Sequence, residues 1–218
     1  MKKLIIFIGI VFISLPLIIS CNSDSDTEAT EVKSDNSVNT LKRENLSSLL
    51  AEDESFITLI KVSENVINFN KDQREHFVEN FNEDNILKED SLNNAYLSSI
   101  TGIDVEEITL TNETLGRATT NLLSKYPVLE SIEAKELKLI VQDAINQAEE
   151  SGRVVFSDKE KNCRACADEG RSDMIVDTLM GAVAGGSIGG LFGAWIGGTL
   201  GFYKAANKAL VCLKKYGC

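Results

Sequence analysis

Five cysteines carry most of the chemistry this chain could offer. Four lie near the C-terminus, Cys163, Cys166, Cys212 and Cys218, and Cys21 stands apart behind an apolar run. A thiol can cross-link, bind a metal, attack an electrophile or accept a lipid. Zinc fits poorly: Cys163 and Cys166 supply half a site, but the gap between Cys212 and Cys218 is off the usual ligand spacing. A thioredoxin-like role would want a βαβ setting, and the tail shows none. A nucleophilic cysteine needs a base, and the single histidine, His76, sits among Arg74, Glu75 and Glu79 on a polar helix face. The carboxylate neighbours Glu106-Glu107 and Glu149-Glu150 diverge on a helix. The glycine-rich run lacks the Lys-Ser/Thr ending of a phosphate loop. We therefore read the chain as no enzyme, with no cofactor and no metal. In an exported protein the four C-terminal cysteines read as two disulfides.

The segment between those cysteines must position them. It repeats glycine every fourth residue: Gly181, Gly185, Gly189, Gly193, Gly197 and Gly201. A second row, Gly186, Gly190, Ala194 and Gly198, lies one position on. No charged side chain falls between Asp177 and Lys204. Glycine costs roughly 1 kcal/mol against alanine in a helix, so this density needs a compensating gain. Small residues four apart let a second helix backbone approach closely, as membrane helices do. The uncharged run also exceeds the ~20 residues that cross a bilayer.

Geometry restricts the cross-links. A straight helix from Cys166 to Cys212 would separate its ends by roughly 70 Å at ~1.5 Å per residue. Disulfide partners need Cα atoms within about 7 Å. Pairing across the tail thus requires the chain to fold back near Gly189, as a hairpin with its arms packed glycine on glycine. The alternative is local pairing, Cys163 with Cys166 and Cys212 with Cys218, which leaves one long membrane helix.

The rest of the chain divides by composition. Met1-Lys2-Lys3 followed by apolar Leu4 to Ile19 and small Ser20 has the form of an export signal over residues 1–20. Residues 21–40 are Ser, Asp, Thr, Glu and Asn with few large apolar groups, a disordered tether. Helical periodicity then predicts an acidic bundle over residues 41–152, with one helix through Phe56–Phe69 and a break near Asn68–Asn70, a short one near His76–Phe81, and one spanning Ile86–Ile100. Asp104 caps another that ends before Pro127, and Ser131–Glu150 is the clearest of all. Residues 153–161 form a connector, with Val154–Phe156 extended, and residues 162–218 are the cysteine-framed tail. The fold class is all-α: a helical bundle plus a glycine-rich apolar helical hairpin. The chain carries a net charge of −11, yet beyond Met174 the only acid is Asp177, against Lys204, Lys208, Lys214 and Lys215. An acidic body with a cationic apolar tail suggests a membrane partner. The lysines would attract anionic lipid, and without a basic patch interleaved with aromatics no nucleic acid is expected.

Leu17-Ile18-Ile19-Ser20-Cys21 resembles the bacterial lipobox. The resemblance implies cleavage before Cys21 and diacylglycerol on its sulfur, leaving an even number of cysteines. Asp24 and Asp26 resemble the acidic signals that send lipoproteins to the surface of Gram-negative bacteria, so the expected place is the outer membrane or cell surface. The cationic, glycine-rich, cysteine-framed tail resembles the pore-forming bacteriocins of the halocin-like kind, over Asn162 to Cys218. That implies a membrane-inserting tail held by the acidic body. The same glycine spacing is similar to glycine-zipper outer-membrane lipoproteins, which implies self-association through the glycine rows or a role in membrane integrity.

Overall fold

The computed structural model describes residues 34–89, 91–157 and 160–218. The expected signal peptide, the lipid acceptor Cys21 and the tether up to residue 33 lie outside the described residues. The elements are α1 (Ser34–Ala51), α2 (Glu54–Ile67), α3 (Lys71–Asn80), β1 (Leu87–Lys88), β2 (Ser91–Leu92), α4 (Asn94–Thr101), α5 (Val105–Lys125), α6 (Ala134–Glu150) and α7 (Lys161–Lys215). Single 3-10 turns cover Glu83–Asn85 and Pro127–Ser131. The fold is all-α, with one antiparallel pair of two-residue strands among the described residues.

Caps written in the sequence set many of the boundaries. Asp53 accepts from the backbone N–H groups of Ser55 and Phe56 and starts α2. Asn70 and Gln73 form a reciprocal capping box on α3. Asp104 caps α5, and Gly102, at φ +70°, ends α4 in the left-handed region where glycine is favoured. Asp53 has a second role, because its carboxylate also receives Lys125 Nζ at 2.6 Å and so ties the start of α2 to the end of α5. Burial alone would favour its neutral form. The bonds from Lys125, Ser55 and Phe56 outweigh that and hold its carboxyl below the usual range.

Three expectations need correction. The helix read across Ile86–Ile100 is only α4; Ile86 follows a 3-10 turn, and residues 87–92 form the β1–β2 hairpin. Asn82 and Asn93, each bonding a backbone N–H beyond itself, break the run into separate pieces. Ile86 and Leu92 still reach the core, which is why the apolar spacing mimicked a helix. Val154–Phe156 forms no strand; Val154 is buried and Phe156 lies under Arg171. Helix α1 begins at Ser34, inside the stretch expected to be a tether.

Helices α2, α5 and α7 pack on one another, α6 lies against α7, and α1 against α6. Their apolar faces merge into one core in which Phe56, Ile60, Leu115, Leu122 and Val141 of the body meet Met174, Leu179, Phe202 and Leu210 of α7. The sequence boundary at residue 162 therefore does not divide the core. Two polar clusters lock this packing. Arg171, 2 % exposed, donates to Glu64 at 2.6 Å and Asp168 at 2.5 Å and stacks on the Phe156 ring. Fully buried Asn112 accepts from the Tyr203 hydroxyl at 3.0 Å and donates to Asn94 at 2.8 Å. A buried charge or amide left without such partners would cost several kcal/mol or about 1–3 kcal/mol respectively, so these contacts fix the orientation of α7.

Candidate functional site: the stapled hairpin

Helix α7 turns back on itself. At Gly190 the backbone takes φ 60° and ψ −146°, and two arms, residues 161–189 and 191–215, run antiparallel from that point. The conformation is one that essentially only glycine adopts. The open end is cross-linked twice, Cys163 to Cys218 and Cys166 to Cys212, each with Cα atoms 5.8 Å apart. This excludes the local pairing and the single long membrane helix it would have left. Gly217, at φ +72°, turns the chain so that Cys218 comes back to Cys163.

The glycine rows face each other inside this hairpin. A Cβ built on Gly185 would sit 2.0 Å from the Gly193 carbonyl oxygen, and one on Gly193 would sit 2.3 Å from that of Gly185. Gly181 and Gly197 stand in the same reciprocal relation at 2.2 Å, and Gly201 abuts the Asp177 carbonyl at 2.0 Å. Gly189 has no neighbour within 4 Å, because the row there has reached the turn. Close backbone approach is thus the local use of the spacing, and the partner is the other arm.

Towards the turn the arms leave the core. Ala182 and Gly198 are their outermost buried positions. Beyond them Ile188 is 91 % exposed, Leu191 76 % and Phe192 56 %. Helix α5 runs antiparallel beside the second arm. Gly116 forms the seat of Trp195, whose Nε1–H donates to the Asn112 carbonyl at 2.8 Å. Farther along, a groove of about 610 Å³ opens between α5 and the turn, lined by Leu123, Ser124, Glu130, Val183, Gly186 and Leu191 among others. The end of α5 therefore stands level with the turn but not packed on it.

The cationic end lies elsewhere. Lys204 pairs with Glu83, Lys214 with Glu79 at 2.8 Å, and Lys208 with Asp177 at 3.6 Å. These lysines join the second arm to the acidic body and to the first arm. Asp177 is half-buried; burial pushes its carboxyl above the usual range, Lys208 opposes this and Asp173 adds to it.

Of the sequence-predicted site residues, the structure brings Cys163, Cys166, Cys212 and Cys218 together at one end. It pairs Gly181, Gly185, Gly193, Gly197 and Gly201 along the hairpin and leaves Gly189 at the turn. His76 bonds through its ring nitrogens to the Ser99 carbonyl and the Asn80 amide, which clips α3 to α4. Among the described residues no group of three or more His, Cys, Asp or Glu side chains is placed to hold a metal. Sequence reasoning missed Ile188 and Leu191 as exposed apolar residues, although their place beside the hairpin midpoint was a usable signal. Comparison with protein-family models, curated proteins and solved structures found no match for the chain.

Proposed function

We propose that this is an exported lipoprotein, acylated at Cys21, with a bacteriocin-like membrane-inserting hairpin whose base is held by the acidic helical body. The observation that carries the reading is the exposure of Ile188, Leu191 and Phe192 on an uncharged turn set on a doubly cross-linked base. Large exposed apolar groups that cluster together mark contact with lipid or protein. The Phe192 and Trp195 rings meet at a 56° tilt with centroids 5.7 Å apart, which sets an aromatic pair beside the turn, where aromatic rings favour the membrane interface.

Dimensions set the depth. From Ala182 to Gly190 is roughly 12 Å of helix at ~1.5 Å per residue, against about 15 Å for half of a ~30 Å hydrocarbon core. The resting hairpin is a wedge for one leaflet. A pore would require the lower arms to leave the body, and with them Phe202, Tyr203 and Leu210. Energetics agree with shallow contact. Burying three such side chains from these exposures yields about 4–6 kcal/mol, close to the marginal, reversible binding of a single myristoyl chain at ~10⁴ M⁻¹. A second attachment makes such binding stable, and acylated Cys21 supplies it.

Self-association through the glycine rows is the second reading. At rest those rows are occupied by each other, so a partner copy would have to displace an arm.

The test uses Trp195, the single tryptophan. Mixed with vesicles containing brominated lipid, the full chain should show quenched Trp195 emission, a readout that the acyl anchor alone does not move. Replacing Ile188, Leu191 and Phe192 together by serine should abolish quenching and lower stability by no more than about 1 kcal/mol, the loss of the Phe192–Trp195 contact. Equal quenching in the triple variant would refute the reading.

A further inference from the structure

The tail's lysines lie away from its apolar turn, spread along the second arm from Lys204 to the stapled end. With the turn inserted to the level of Gly198, Lys204 lies roughly 9 Å along the second arm from the lipid surface and Lys214 roughly 24 Å, at ~1.5 Å per residue. Charges are screened over about 8 Å at physiological ionic strength. Lys214 therefore lies well beyond the reach of the lipid surface, and Lys204 about one screening length from it. Lys204, Lys208 and Lys214 are also engaged, with Glu83, Asp177 and Glu79 respectively, and Lys215, over the Tyr216 ring, stands at the far end of the arm.

The charges nearer the turn nearly cancel. Beside the groove Arg117 lies 3.6 Å from Glu113, and Lys125, at the end of α5, is paired with Asp53. Glu130, which pairs with no cation among the described residues, adds an acid to the groove rim. The chain as a whole carries −11. Among the described residues nothing in this arrangement attracts an anionic surface, and the net charge opposes one.

We propose that the hairpin docks on an electrically neutral, zwitterionic lipid surface, recognised by apolar insertion at Ile188, Leu191 and Phe192 and not by charge. This rests on the membrane-contact reading above, and it replaces the sequence expectation that the C-terminal lysines attract anionic lipid. A free cation at the interface would raise binding to anionic lipid about fivefold, and two or three would dominate the preference.

The experiment measures partitioning of the full chain by Trp195 quenching on brominated phosphatidylcholine vesicles, and on the same vesicles with one third phosphatidylglycerol, at low and high salt. We expect binding to pure phosphatidylcholine at least as tight as to the mixture, with less than about twofold change between the two salt conditions. Binding that requires phosphatidylglycerol, or that falls steeply with salt, overturns this proposal while leaving membrane contact intact. Absence of quenching on both compositions overturns the contact reading itself, and this proposal with it.

Discussion

Alanine substitutions along the glycine row should change sign with position. At Gly185 the new Cβ would meet the Gly193 oxygen at 2.0 Å and its carbonyl carbon at 2.7 Å. Both obstacles are backbone, on an arm held by two disulfides, so the arms must part by about 1 Å. Overpacking of this kind costs about 1–3 kcal/mol, and a backbone obstacle puts it at the upper end. Against that stands a gain of about 1 kcal/mol from the better helix propensity of alanine. Gly185→Ala should therefore lose about 2 kcal/mol. Gly189→Ala meets nothing within 4 Å and should gain up to about 1 kcal/mol. Gly190→Ala also meets nothing, yet its φ of +60° should cost about 1–3 kcal/mol. Thermal unfolding of the oxidised protein followed by circular dichroism separates these cases, since 1 kcal/mol shifts Tm by about 2–4 °C at this size. If Gly185→Ala were as stable as Gly189→Ala, the arms would not be in backbone contact, and the account of the glycine rows would fail.

Non-reducing peptide mapping should recover Cys163 joined to Cys218 and Cys166 joined to Cys212, and a Cys163–Cys166 product would refute the hairpin. Removing the Cys166–Cys212 bridge should cost about 3 kcal/mol if its effect is loop entropy, because the Cys163–Cys218 bridge still closes the longer loop and leaves only a short one to this bond. Asp177 supplies a pH signature. Its folded carboxyl binds protons more tightly than the unfolded one, so it disfavours folding near neutrality and ceases to do so as pH falls through its raised pKa. Asp177→Asn should raise the urea midpoint at neutral pH, with the advantage fading in acid; a lower neutral midpoint would mean that the Lys208 pair outweighs burial.

How much of this was legible depended on whether a residue's meaning was local. Caps at Asp53, Asn70 and Asp104 act within a turn of helix, and α5 and α6 could be read from their periodicity. The cysteine spacing added a long-range constraint that needs no tertiary knowledge: two bridges across one apolar helix require a fold near its midpoint. Gly190 is one residue from that midpoint. The β1–β2 hairpin was not legible, because Ile86 and Leu92 bury themselves without a helix and so reproduce its spacing. Nor was the partner of the lysines, since Glu79 and Glu83 are more than a hundred residues away in sequence from Lys214 and Lys204.

The strongest membrane signal in the sequence also proves to have a sufficient explanation without lipid. Glycine at every fourth position is satisfied by the opposite arm, so the rows would be required in a hairpin that never met a bilayer. What calls for an external partner is a different set of residues. Isoleucine, leucine and phenylalanine at the turn contribute little to the core while they are exposed, and serine at Ile188 or Leu191 would close the hairpin as well. Structure and function therefore separate along the hairpin. Glycine changes below the turn act on stability first and on lipid contact only through it. Apolar changes at Ile188 and Leu191 act on lipid contact alone, so a variant there that loses contact at unchanged Tm identifies the surface on which the proposed function depends.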